Sequence, residues 1–296
     1  MLIDESRLHI AIQKSGRLSD DSRGLLREAG LRIRSGRNDL TAPIDNFPAD
    51  LMFVRDDDIP TFVADGVCEL GIVGANVLEE FALGEPDKGL EVLARLGFGR
   101  CSLRIAAPEN ADYRGPDSLA GARIATSYPR LLRRFLDERE LAAEIVEMNG
   151  AVELAPRLGV ANFICDLVST GSTLEANRLR AVETVLDSEA LLVRTGRPLP
   201  EAKAPLVAPL VSRIEGVLAT RDSKYIMLNA TEEALAKITA ILPGAEAPTI
   251  VPLHGRPGHF AVHAVCQESV FWETLQKLKE AGASAILVVP IEKMML

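Results

Sequence analysis

The amino-acid sequence predicts an α/β protein that ends in a small split-βαβ sandwich. Three observations predict it. Strand-like and helix-like patterns alternate along the first part of the chain, and the order of elements changes from Lys224 onward. The third is length: 296 residues exceed what one compact core usually holds, so two or three domains are expected.

Leu8-His9-Ile10-Ala11-Ile12 is a short apolar run and reads as a buried strand. A helix pattern follows over 19–29, closed by Gly30. Residues 50–54 form a second strand candidate, and a helix is expected from about 57 to a stop at Gly66. Residues 69–74 read as a third strand ending in a glycine turn. Such alternation points to a largely parallel sheet. A new unit begins near Cys101, with strands over 103–107, 122–126 and 143–148 and a helix over 129–140. Residues 163–168 are apolar apart from Asp166 and run into a Ser/Thr/Gly turn and a helix. The proline-containing stretch 194–209 reads as a connection.

From Lys224 the pattern is strand 225–228, helix 231–242 with a Pro243-Gly244 stop, strands 249–253 and 259–266, helix 269–281, and strand 285–289. That order is the βαββαβ sandwich. Phe271 and Trp272 read as its core aromatics. The module carries no catalytic-looking loop, so a binding or regulatory role fits it.

Composition is ordinary for a globular protein, 47% hydrophobic and 25% charged, which excludes a disordered chain. The net charge is −9 with no basic block, whereas a nucleic-acid partner normally leaves a basic stripe. Phosphate substrates remain open, because a local cluster of donors suffices to bind them. Cys68, Cys101, Cys165 and Cys266 are far apart, without Cys-x-x-Cys spacing, which fits a reducing compartment. Met1 to Ser6 lack the features of a secretory leader, and no run approaches a membrane span. A soluble, cytoplasmic protein with no membrane partner is expected.

The sharpest chemical signal is the run from Asp166 to Glu175. A strand leads into small hydroxyl residues around Gly171, and a helix follows. Free N–H groups at the helix start, with the hydroxyls of Ser169, Thr170, Ser172 and Thr173, suit a phosphate monoester. The same residues also suit an ordinary helix N-cap. Lys14-Ser15-Gly16-Arg17 ends the first strand, where open parallel sheets gather ligands; it reads as a phosphate-binding or adenine-facing turn, or as a solvated one. In Arg55-Asp56-Asp57-Asp58 the acids read as helix-start residues and Arg55 as the functional candidate. Gly71 to Asn76 is a further candidate wall of the same cleft. His254, His259 and His263 raise a metal question, but their spacing spans a turn and a strand, which argues against a shared zinc ion.

Several runs resemble the long-form ATP phosphoribosyltransferases. They are residues 10–18, Arg55 to Pro60, Arg123 to Pro129, Asp166 to Ala176, Ser223 to Met227, Pro248 to Ile250 and Gly282 to Leu287, in order over essentially the whole chain. The resemblance implies two α/β lobes like type II periplasmic binding proteins, followed by a ferredoxin-like, ACT-like domain. Lobe one would be 1–100 completed by about 180–222, lobe two 101–179 with the phosphate loop, and the histidine-binding domain 223–296. The implied reaction joins N1 of ATP to phosphoribosyl pyrophosphate, releasing pyrophosphate as the first step of histidine synthesis.

Carried over, Ser169, Thr170, Gly171, Ser172 and Thr173 would hold the 5′-phosphate, with Asp166 near the ribose. The usual phosphoribosyltransferase motif has paired acids there, whereas Asp166 is followed by Leu167-Val168. Lys14, Arg17 and Arg55 would act on the transferring group. Gly16, Arg17, Gly74, Asn76, Tyr128 and Glu153 would face ATP, although Glu153 also reads as a helix-start acid. Thr249, Ser284 and Ala285 would contact histidine. The resemblance further implies Mg2+, feedback inhibition by L-histidine, and a homo-oligomer passing from dimer to hexamer. The competing reading is a two-lobed binding or regulatory protein without catalysis, which would show no turnover.

Overall fold

The computed structural model describes residues 6–34, 40–221, 223–242 and 247–294, without the side chains of 268–271. Two compact units divide it, 1–211 and 212–296.

The first unit holds two sheets. In chain order its elements begin β1 (Leu8–Gln13), α1 (Arg17–Glu28), β2 (Thr41–Pro43), β3 (Ala49–Val54), α2 (Ile59–Ala64), β4 (Leu70–Gly74), α3 (Ala75–Gly84) and β5 (Leu90–Arg95). β6 (Cys101–Pro108), β7 (Arg123–Thr126), α4 (Pro129–Asp137), β8 (Glu144–Glu147), β9 (Phe163–Val168), α5 (Ser172–Ala176), β10 (Leu179–Ser188) and β11 (Ala190–Thr195) follow, and α6 (Ala204–Leu218) leads out. The first sheet runs β2-β3-β1-β4-β11-β5 and the second β10-β6-β9-β7-β8. β1 is buried almost throughout and pairs in parallel with β3 and β4, as a doubly covered apolar strand should. Each sheet has its own core: Ile59, Val63 and Val193 are buried in the first lobe, and Leu103, Ile105, Leu132 and Phe135 in the second.

The first lobe is discontinuous, because β11 returns to pair with β4 and β5. The return comes later than the boundary near 180 expected from sequence. β10 pairs with β6 from Leu179 to Ser188 and so belongs to the second lobe. The turn expected after Gly74 is the start of α3. The stretch 194–209 is not all connection either, since α6 begins at Ala204. Pro205 falls in its first turn, where a missing N–H costs nothing, and Pro209 is tolerated inside.

Beneath β1 lies a buried polar cluster. Lys203 Nζ donates to Glu69 Oε1 at 2.6 Å, and the His9 backbone N–H donates to Glu69 Oε2 at 2.8 Å. His9, Glu69 and Lys203 are each 5% exposed or less.

The second unit contains β12 (Ser223–Thr231), α7 (Glu232–Ile241), β13 (Thr249–Pro252), β14 (His259–Gln267), α8 (Glu268–Glu280) and β15 (Ser284–Pro290). The sheet order β13-β14-β12-β15 is that of the expected βαββαβ sandwich. This unit starts at Ser212, inside α6, ahead of the boundary expected at 223. Ile226, Leu228, Ile238, Val262 and Leu278 fill its core. Trp272 is not a core residue: it is 70% exposed. At about 100° per residue it lies about 120° around α8 from the fully buried Leu278. The side chain of Phe271 and the Pro243-Gly244 stop lie outside the described residues. His263 Nδ1 lies 3.1 Å from the Tyr225 hydroxyl, and His259 Nδ1 lies 3.3 Å from the Pro257 carbonyl.

Candidate functional site

The carboxyl ends of β7 and β9 lie side by side in a parallel pair, so the turns that follow them share one edge of the second sheet. One turn is Ser127-Tyr128-Pro129 and leads into α4. The other is Ser169-Thr170-Gly171 and leads into α5. From the first lobe, the end of β3 supplies Arg55, followed by a 3-10 turn over Asp56–Asp58. The acids are helix-start residues as expected, yet Asp56 and Asp57 also reach the cavity wall.

A cavity of about 580 Å³ is lined by Arg55, Asp56 and Asp57 on one side and by Ser127, Tyr128, Glu147 and Asp166 on the other. A recess of about 80 Å³ adjoins it through Asp166, and is lined by Glu153, Ser169, Thr170, Gly171 and Thr173. A third hollow of about 450 Å³ shares Ser169 and Val168 with the recess and includes Cys101 and Arg100. The sequence candidates 55, 128, 153, 166 and 169–171 and 173 thus line two hollows that share Asp166. Ser172 is exposed beside them, its hydroxyl 3.1 Å from that of Thr170.

Burial sets the electrostatics. It raises the Asp166 carboxyl above the ordinary carboxylate range; the Leu167 N–H, donating at 2.8 Å, opposes that rise and the charge of Glu153 adds to it. Asp57 is raised by burial and by its two acidic neighbours, against the pull of Arg55. The Tyr128 phenol is pushed up by burial and then by Asp57, so it stays neutral and can donate or accept.

Asn76 needs correcting as an ATP contact. It is 4% exposed, and its amide is committed. Oδ1 accepts from Ser188 Oγ at 2.7 Å, and Nδ2 donates to the Tyr128 hydroxyl oxygen at 2.9 Å. Asn76 therefore ties Tyr128 to Ser188. Gly74 serves the same arrangement, because a Cβ there would stand 2.5 Å from Asn76 Oδ1. Lys14, Gly16 and Arg17 are exposed at the end of β1 and do not line the Arg55 cavity. Arg17 instead lies within electrostatic reach of Cys101, on the side of the Ser169 hollow. Sequence reasoning missed Glu80, Arg130 and Glu147 on the cavity wall. Only Arg130 had a signal, since it directly follows the Ser-Tyr-Pro run.

In the second unit, Thr249 lies on β13 and Ser284 and Ala285 on β15, at opposite edges of the sheet. Three strand spacings of about 4.8 Å separate those strands, roughly 14 Å. Within one chain, therefore, one small molecule does not touch both edges.

The family model described as ATP phosphoribosyltransferase matches residues 55–216, and the one described as its C-terminal domain matches 220–293. This chain belongs to the ATP phosphoribosyltransferase family. Among solved structures, the ATP phosphoribosyl transferase (HisG:HisZ) complex from Thermotoga maritima matches at 26% identity and a TM-score of 0.57, over 70% of this chain and 98% of that one. That protein is thus matched almost whole within part of this chain. The additional C-terminal domain makes the present chain a long-form member. The alkanesulfonate-binding protein SsuA from Xanthomonas axonopodis pv. citri, bound to MOPS, matches at 18% identity over 72% and 74% of the two chains, with a TM-score of 0.47. The Bordetella pertussis BvgS periplasmic VFT2 domain matches at 13% over 71% and 87%, with a TM-score of 0.46. At these scores the two periplasmic proteins carry no further argument.

An ATP phosphoribosyltransferase is a pentosyltransferase of histidine biosynthesis, moving the phosphoribosyl group of phosphoribosyl pyrophosphate onto N1 of ATP. The two-lobed α/β part with an appended βαββαβ domain is the fold that the resemblance implies. No helix among the described residues is long and apolar enough to cross a membrane.

The loop from Ser169 to Thr173 makes one demand on backbone conformation. Gly171 has φ +83, and a Cβ there would meet nothing within 4 Å. Gly171→Ala therefore carries conformational strain alone, about 1–2 kcal/mol. If the loop relaxes to relieve it, KM for phosphoribosyl pyrophosphate is expected to rise about tenfold. Steady-state kinetics at saturating ATP would check this.

Proposed function

We propose that the depression between the two lobes is where the transfer occurs, with the loop from Ser169 to Thr173 holding the 5′-phosphate of phosphoribosyl pyrophosphate. The observation that carries the reading is Asp166, which lies on both the loop recess and the Arg55 cavity. A phosphoribosyl group anchored at the loop would present its anomeric carbon beside Asp166, with the pyrophosphate toward Arg55. Tyr128 and Glu153 would face the nucleotide, with Lys14, Gly16 and Arg17 closing on the phosphates from the end of β1.

The adenine N1 lone pair forms the new bond to the anomeric carbon as the bond to pyrophosphate breaks. N1 carries no proton at neutral pH, so no general base is required. The chain's task is positioning and charge neutralisation. Magnesium dependence is part of the proposal. Among the described residues no three His, Cys, Asp or Glu groups cluster as a metal cage. Mg2+ carried on a pyrophosphate needs only one or two protein carboxylates, and Asp57 and Asp166 on the cavity wall suit that need. When bound, it would add charge stabilisation of the departing pyrophosphate.

The second unit is proposed as the sensor for L-histidine, acting by population shift: histidine must favour a less active state to inhibit at a distance. Thr249 and Ser284-Ala285 occupy opposite sheet edges, so a histidine touching both would need two copies of the chain. The proposal includes a homo-oligomer, dimer to hexamer, of a cytoplasmic enzyme.

Mixing the protein with ATP, phosphoribosyl pyrophosphate and Mg2+ should raise the ultraviolet absorbance of N1-modified adenine, and histidine should suppress the rise. Chelation of Mg2+ should abolish it; a rate unchanged by excess chelator would remove the metal from the proposal. Deleting residues 224–296 should abolish inhibition by histidine. A folded truncation that stayed equally inhibited would refute the sensor assignment.

A further inference from the structure

Helix α3 of the first lobe meets the start of α4 in the second at the rim of the Arg55 cavity. The Glu80 carboxylate accepts from the Arg130 N–H at 2.9 Å and from the Leu131 N–H at 2.8 Å. α4 begins at Pro129, which has no N–H, and the N-cap residue Tyr128 gives it no side-chain cap. The positive end of this helix is therefore closed by a carboxylate from the opposite lobe. Glu80 is only 12% exposed in its side chain, and Arg130 Nη1 lies 3.5 Å from it. One turn on, the Arg130 guanidinium crosses Gly84 so closely that a Cβ there would stand 2.6 Å from Cζ.

Asn76, Glu80 and Gly84 recur at four-residue spacing, so one face of α3 makes all these contacts. Their positions relative to the chain crossings differ. Ser188, at the crossing between β10 and β11, bonds Asn76. Asn76 thus sits beside a chain crossing between the lobes, and Glu80 one turn away from it. A bond farther from a pivot resists opening with the longer lever arm.

We propose that Glu80 is a positioning residue for phosphoribosyl transfer: its clasp on α4 holds the Ser127-Tyr128-Pro129 turn at a set distance from the Arg55 wall. The proposal rests on that cavity being the substrate site. Without the clasp, the binding-competent spacing is populated only part of the time, and apparent affinity falls by that fraction. Saturating substrate restores the closed form, so kcat is affected much less.

Steady-state kinetics on the full-length chain test this. Glu80→Ala is expected to raise KM for at least one substrate about tenfold, with kcat within about threefold. Glu80→Gln keeps an acceptor oxygen and should recover most of the rise. A mere loss of folded enzyme would lower kcat and leave KM alone. Arg134→Ala removes the more exposed Glu79–Arg134 pair between the same helices and should leave both constants within about twofold. If Glu80→Ala does not fold, a KM rise of about threefold in Glu80→Gln carries the test. Unchanged KM for both substrates in a folded Glu80 variant overturns the clasp. Arg55→Ala run in parallel separates the two levels: impaired alone, it leaves the cavity standing and the clasp refuted, whereas two unimpaired variants sink the cavity assignment itself.

Discussion

Arg55→Ala is expected to lower kcat/KM about a hundredfold, the usual cost of losing one preorganised contact to developing charge. Arg55 is exposed, follows the last residue of β3, and makes no salt bridge among the described residues. Its charge is felt by Asp57 but is not consumed by it. A cation held at a cavity mouth without a fixed partner is available to a pyrophosphate. Removing it should therefore change stability by no more than about 0.5 kcal/mol. Arg55→Lys should recover only part of the loss, because an ammonium cannot grip two oxygens in a planar fork. An efficiency within about threefold of the parent chain, measured by initial rates with both substrates varied, would take Arg55 out of the chemistry.

Lys203→Ala should have the largest effect on stability, about 3–5 kcal/mol. The Lys203–Glu69 pair is buried at both ends, with side chains 6% and 5% exposed. Truncating the lysine leaves the Glu69 carboxylate without its cation in an apolar sheet. What remains beside it is the His9 backbone N–H at 2.8 Å and the His9 ring, whose Nδ1 lies 3.7 Å from Oε2. The double variant Glu69→Gln/Lys203→Met removes both charges and should regain much of the loss, because desolvation of the ions is removed as well. Thermal unfolding of the three chains decides it. Lys203→Ala should unfold on the order of ten degrees lower, and an unchanged midpoint would mean that the pair contributes nothing.

The fold was legible where one kind of signal acted alone. The apolar runs at 8–12, 50–54 and 163–168 are strands, and the βαββαβ order after Lys224 holds element for element. Local patterns failed where an element is half exposed or carries helix breakers, and the buried run of β11 was missed as well. Half-exposed β10 has mixed polarity along its length and pairs by bulged registers, so no clean alternation marks it. Pro209 disguised α6. Trp272 was misjudged because its size suggested a core residue, whereas its angular position on α8 puts it outside.

The site divides in the same manner. The hydroxyl-rich loop at 169–173, Arg55 and Tyr128 announce themselves by composition and position after strands. Glu80 does not, since a glutamate in a helix carries no local mark of the helix start it will cap in another lobe. Asn76 was visible, but its commitment to Ser188 and Tyr128 was not.

By itself the sequence determined which segments are strands and helices, where the phosphate-suited loop falls, and which family the chain resembles, because those depend on spacing and residue type within a few turns of chain. Only the tertiary structure decided that Asp166 joins two hollows, that Asn76 and Glu80 work across the lobes, and that Thr249 and Ser284 lie at opposite sheet edges. Each of those facts is a distance between residues far apart in the chain, and such distances are settled by strand order and packing rather than by local pattern.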